Sequence, residues 1–96
     1  MGATASITVE LFGTARIACG KRVLDLLLPV PASAALVAVE LAKICPDLVG
    51  VALRDDLSGL LESYTLNLNA AEFVDEGELT LSDGDILLLF SSQAGG

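Results

Sequence analysis

Two glycines, Gly95 and Gly96, close the sequence behind the polar stretch Ser91-Ser92-Gln93-Ala94. Residues without a Cβ take almost any backbone conformation. Such a pair can thread a channel too narrow for side chains and bring a terminal carboxylate to a buried active centre. Elsewhere the chemical inventory is sparse. There is no His in the chain, which removes Ser/His and Cys/His nucleophilic pairs, histidine general bases and most zinc sites in one step. Cys19 and Cys45 are too far apart in sequence for a CxxC motif and too few for a cysteine-only metal site. They read as two reduced thiols, with a disulfide left open. No metal and no cofactor held by this chain is expected.

The totals narrow the partners. A chain of 96 residues holds one domain with one modest core. That core should be aliphatic, since Leu, Val and Ala dominate and the aromatics are one Tyr and three Phe. A net charge of −8 disfavours nucleic acid, because phosphate binding needs a basic surface, and favours basic docking surfaces on protein partners. Charged or polar residues interrupt every apolar run before membrane-spanning length, and no basic region followed by an apolar core opens the chain. A cytoplasmic location without membrane attachment is therefore expected. Gly2 and Ser6 fit a loose myristoylation pattern, but no basic cluster supplies the second signal that stable anchoring needs.

The elements that must present Gly96 follow from periodicity. Ser6 to Phe12 alternates, with Ile7, Val9 and Leu11 on one face and Ser6, Thr8, Glu10 and Phe12 on the other, which predicts a half-buried strand. A polar loop over Gly13 to Lys21 leads to a second strand, Arg22 to Leu28, in a wide hairpin. Pro29-Val30-Pro31 ends that strand. Ser33 is a helix N-cap, and Val37, Leu41, Ile44 and Leu48 share one helical face until Pro46 stops the helix near Cys45. Leu48 to Ser63 has neither period and reads as a connection. Tyr64 to Leu68 alternates again, then come a turn, a short strand around Phe73 and Val74, a turn at Asp75 to Glu78, a tight turn at Ser82-Asp83-Gly84-Asp85 and the apolar strand Ile86 to Phe90. This order predicts an α+β roll, a mixed sheet packed on one main helix. In its β-grasp form the last strand runs parallel beside the first. Residues 1–90 form the domain and residues 91–96 a flexible tail.

The last strand is apolar on both sides. Turning Leu87 and Leu89 inward sends Ile86, Leu88 and Phe90 outward beside Phe12, an arrangement that marks a partner-binding surface unless the Gly13 to Lys21 loop or the Leu48 to Ser63 segment covers it.

Leu11-Phe12-Gly13-Thr14-Ala15-Arg16, Asn67-Leu68-Asn69, Leu81-Ser82-Asp83-Gly84-Asp85 and the terminal Gly95-Gly96 together resemble the MoaD/ThiS family of ubiquitin-like sulfur carriers, in order and approximate spacing over nearly the whole chain. The resemblance implies a ubiquitin-like β-grasp fold. It implies that Gly96, with Gly95 before it, is adenylated by a ubiquitin-activating-type adenylyltransferase using ATP and then converted to a thiocarboxylate that donates sulfur. Partner binding is expected at Phe12, Arg16, Leu88 and Phe90. Phe12-Gly13 with Arg16 most resembles the molybdopterin synthase small subunit, which implies molybdenum cofactor synthesis and a synthase large subunit as acceptor. The tail lacks the proline common there, and the chain is longer than the shortest thiamin-type carriers. A carrier for thiamin, cysteine or another sulfur-containing metabolite, handing sulfur to another accepting enzyme, is the alternative, as is a ubiquitin-like protein modifier. By itself the chain is expected to be a non-catalytic carrier, with the ATP site and catalytic cysteines on its partners.

Overall fold

The structure is a computed structural model that describes residues 3–74 and 78–91. Gly95, Gly96 and the rest of the expected tail beyond Ser91 lie outside these residues, as does most of the turn expected at Asp75 to Glu78.

Strand β1 spans Ala3–Leu11 and pairs antiparallel with β2, Val23–Val30. Its alternation is as read from the sequence: Ile7, Val9 and Leu11 are buried. In β2, Leu24, Leu26 and Leu28 are buried, whereas Val23 and Leu27 are exposed. The strand does not stop before Pro29, which pairs opposite Thr4. It can continue because β2 is an edge of the sheet, where a residue without an N–H leaves no neighbour unpaired.

The segment expected as a polar loop is instead a short helix, α1, over Gly13–Cys19. It buries only the small Ala15, so it shows no apolar stripe in the sequence. Gly20 closes it at φ 74°, donating its N–H to the Arg16 carbonyl at 2.8 Å. Only glycine enters this left-handed region without steric cost.

After β3, Ala32–Ser33, the main helix α2 covers Ala34–Ile44. Ser33 caps it, its hydroxyl accepting the Leu36 N–H at 3.1 Å. Val37, Ala38 and Leu41 are fully buried. Ile44, assigned to the packed face by its spacing, is 46% exposed. Cys45 ends the helix and a 3-10 turn over Pro46–Leu48 redirects the chain, so Leu48 reaches the core from that turn and not from α2. The aperiodic stretch that follows is held by backbone bonds to Leu48 and by bridges at Leu53, and it contributes Ala52 and Leu53 to the core.

The remaining strands are β4, Tyr64–Leu68, β5, Glu72–Phe73, β6, Glu78–Leu79, and β7, Ile86–Ser91. The main sheet runs β2-β1-β7-β4-β5, and β3 pairs with β6 separately. Strands β1 and β7 are parallel, with Thr8 opposite Ile86 and Leu11 opposite Leu89. The fold is thus the expected mixed sheet of α+β type, with the last strand central beside the first and the main helix on one face.

Candidate partner-binding face and tail exit

The face of the sheet opposite the core can be assembled residue by residue from the register. On β7, Leu87 and Leu89 are fully buried, which turns Ile86, Leu88 and Phe90 to the other side. Thr8 and Glu10 of β1 stand opposite Ile86 and Leu88. On the other flank, Thr65 faces Phe90 and Asn67 faces Leu88. Asn67 in turn pairs with Phe73 of β5. The face is therefore an apolar stripe along β7, bordered by Thr8 and Glu10 on one side and closed by Phe73 on the other.

Phe12 stands just past the Leu11–Leu89 pair, in extended backbone, and its N–H donates to the Leu89 carbonyl at 3.1 Å. This continues the ladder by one step and carries Phe12 along the same side of β1 as Glu10, at 41% exposure. Arg16 is exposed on α1 near Ile17, which at 80% exposure is the barest large apolar side chain of that helix. Leu88 and Phe90 are half-buried. Phe90's ring is stacked at a tilt against Phe73, centroids 6.3 Å apart and planes at 51°. The ring that meets Phe90 is thus Phe73, itself 67% exposed, which sequence reading did not assign to the site. A two-residue strand carries no alternation from which to assign a face. On β5, Phe73 supplies an aromatic contact to Phe90.

Asn67 lies within this face at 8% exposure, and its amide oxygen has no hydrogen-bond partner among the described residues. A buried acceptor without a donor costs stability, so an apolar docking face here includes one polar group that the free chain leaves unmet.

Two polar segments fix where β7 starts. The Asp85 carboxylate accepts the Ser82 N–H at 2.8 Å and an Asn69 amide N–H at 3.1 Å, and the Asn69 amide oxygen accepts the Ile86 N–H at 2.8 Å. Asn69 sits at φ 56°, a conformation its short side chain tolerates. Asp83 accepts the Ser6 N–H at 2.7 Å, while Gly84, at φ 89°, donates to the Ser6 carbonyl at 2.8 Å. The Asn67-Leu68-Asn69 and Leu81-to-Asp85 segments therefore meet in space, and their polar residues clamp β7 to β1 and β4. The hydrogen bond from the Ser82 N–H, followed by that from Asn69, holds the Asp85 carboxyl below its usual range.

At its far end β7 reaches Ser91, opposite Tyr64. The Tyr64 hydroxyl meets that of Thr14 in α1. The chain leaves the described residues here, on the strand that bears the apolar stripe.

A cavity of about 640 Å³ lies beside the start of α2, lined by Ser33, Arg54, Ser58, Leu60, Tyr64 and Val74 among others. Ser33 caps α2, Ser58 donates to the Asp56 carboxylate at 2.7 Å, and Arg54 Nε donates to the Leu60 carbonyl at 2.8 Å. Among the described residues no three metal-ligating side chains cluster, and no helix is long and apolar enough to cross a membrane.

No family profile matches the sequence, and no curated protein matches it. Solved structures do. SAMP1 from Haloferax volcanii is 26% identical, with 96% of this chain and 100% of that chain covered at a TM-score of 0.79. The small archaeal modifier protein 1 of Methanosarcina acetivorans is 25% identical, covering 99% of this chain and 100% of that chain at 0.75. A candidate molybdopterin converting factor subunit 1 from Pyrococcus furiosus, 18% identical, covers 91% of this chain and 97% of its own at 0.66, a likeness of fold.

Proposed function

We propose that this chain, which carries the MoaD/ThiS-like ubiquitin-like fold, is a sulfur carrier whose Gly96 carboxylate is the group that reacts. The observation that supports this most is that the apolar stripe Ile86, Leu88 and Phe90 lies on the strand whose end leads into the Gly-Gly sequence. A partner gripping that stripe holds the chain end at a bounded distance. Ser92 to Gly96 spans at most roughly 17 Å when fully extended, so docking on β7 and reaction at Gly96 belong to one encounter.

A free carboxylate is a poor acyl donor. A ubiquitin-activating-type adenylyltransferase bound on this face would let a Gly96 carboxylate oxygen attack the α-phosphorus of ATP, releasing pyrophosphate and leaving an acyl adenylate. A sulfur nucleophile then adds at the carbonyl carbon and AMP departs, giving the thiocarboxylate. The chain supplies the acyl end and the docking face; the acceptor binds the same face in its turn. Phe12, Phe73, Leu88 and Phe90 provide apolar anchors, Arg16 a cation at the border, and the net charge of −8 steers the carrier toward basic surfaces. The Phe12-Gly13 and Arg16 segment supports molybdopterin synthesis as the pathway, with a synthase large subunit as acceptor.

The likeness to SAMP1, a small archaeal modifier protein, favours a second reading. The same activated glycine would be attacked by a lysine amine instead of sulfur, leaving an amide on a target protein. Fragmenting the C-terminal peptide of the chain recovered from its host distinguishes the two. A thiocarboxylate on Gly96 supports the carrier; Gly96 found in amide linkage to lysine with no thiocarboxylate supports the modifier.

A further inference from the structure

Cys19 and Cys45 are the two cysteines of the chain. They stand at the C-terminal ends of the two helices: Cys19 is the last residue of α1, and Cys45 is the residue that closes α2. Helix α1 packs on the 3-10 turn directly after Cys45, which places the two cysteines in one region of the fold. Cys45 is buried in the core, and Cys19 packs against that core while remaining partly exposed. Both cysteines are free. Burial first, and then the neighbouring Cys19 side chain, push the Cys45 thiol up. Nothing in carrier or modifier chemistry at Gly96 uses this pair.

We propose that Cys19 and Cys45 form a redox modification site, an accessible thiol with its resolving partner, that a hydroperoxide closes to an intramolecular disulfide. The accessible Cys19 sulfur attacks the outer peroxide oxygen. The O–O bond breaks, the leaving oxygen takes a proton as alcohol or water, and Cys19 becomes a sulfenic acid. The Cys45 sulfur then attacks the Cys19 sulfur, the S–O bond breaks, and the hydroxyl leaves as water with the Cys45 proton. Two thiols and one hydroperoxide give one disulfide, one alcohol and one water. The sulfurs lose two electrons and the peroxide gains them, and a dithiol reductant reverses the change by exchange. Closure within the chain should outrun further oxidation of Cys19, because Cys45 belongs to the core against which Cys19 packs. The link ties α1, which follows Phe12 and carries Arg16, to the end of α2.

The test is to treat the folded full-length chain with one equivalent of hydrogen peroxide and map its peptides. The expected result is a monomer lighter by two hydrogens, a Cys19–Cys45 linked peptide, loss of both thiols to maleimide even after denaturation, and full recovery with dithiothreitol. The oxidised chain should also melt roughly 10 °C higher, because the link constrains the unfolded state. In Cys19→Ser, a change at the more accessible site, Cys45 should remain a titratable thiol after the same treatment. Cys19 carried to sulfinic acid with Cys45 still free would overturn the proposal, as would a disulfide formed only between two chains. A linked chain that melts at or below the reduced one would also overturn it, by showing that the fold must distort to close the bond.

Discussion

The hydroxyls of Thr14 and Tyr64, fifty positions apart, meet in a hydrogen bond that joins the first turn of α1 to β4 beside the last described residue of β7. Tyr64 is buried, so its ring packs in the core while its hydroxyl reaches α1. Tyr64→Phe keeps the ring and removes the link. The expected cost is about 1 kcal/mol, read as a melting temperature lower by roughly 4–8 °C. Thr14→Val should cost a similar amount, and the double variant little more than either, because both remove one bond. Additive losses in the thermal melts would show that the two hydroxyls act separately.

Phe73 and Phe90 touch but differ in exposure. Phe73→Ala should leave folding nearly unchanged while weakening binding to the activating partner by about 2 kcal/mol, roughly 30-fold, as exposed aromatic anchors at interfaces do. Phe90→Ala should lower both, since Phe90 is already mostly buried in the free chain. Paired melts and affinities check this. Unchanged affinity for Phe73→Ala would place the docking surface elsewhere.

The Asp85 carboxyl titrates below its usual value, because the Ser82 N–H and the Asn69 amide favour its charged form. The sign follows from linkage. A carboxyl that binds its proton less tightly folded than unfolded stabilises the fold above the unfolded value of about 3.9, and that contribution is lost as pH falls through the lower folded value. Asp56, held down by the Ser58 hydroxyl and N–H, acts in the same direction. Urea unfolding followed between about pH 5 and pH 2 should therefore show stability falling with acid, and Asp85→Asn should flatten part of that slope. An unchanged slope would mean that the clamp at the start of β7 does not depend on the charge. Solvent exposure keeps this effect small.

Much of this was legible in the sequence, for reasons that differ by element. Alternation fixes a face when a strand is long: Ile7, Val9 and Leu11 in β1 and Leu24, Leu26 and Leu28 in β2 are buried as their spacing predicts. Ser33 and Pro46 bracket α2 by local chemistry that tertiary contacts did not override. Helix α1 was hidden because it buries only Ala15, and two turns with one small buried side chain produce no periodic signal. Gly20, the left-handed residue behind Arg16, was the cue that could have marked its end. Pro29 misled because a proline breaks a central strand but not an edge, and edge position is a property of the sheet. Ile44 misled because the buried face of α2 is centred on Ala38, Leu41 and Cys45, which leaves Ile44 at its border. Phe73 and Asn67 needed the register of β4 with β5 and β7, which no local pattern contains.

Reaction at the proposed Gly96 carboxylate can be followed by incubating the chain with a ubiquitin-activating-type adenylyltransferase, ATP and a sulfur source, and fragmenting the C-terminal peptide. A thiocarboxylate on Gly96 is expected in the wild-type chain. None is expected when Gly96 is deleted, because Gly95 would present its carboxylate about 3.5 Å short of the α-phosphate. The deletion should change stability by less than ~0.5 kcal/mol, since Ser92 to Gly96 includes no apolar side chain larger than Ala94. Thiocarboxylate formed at the wild-type rate by the Gly96-deleted chain would show that Gly96 is not the reacting group.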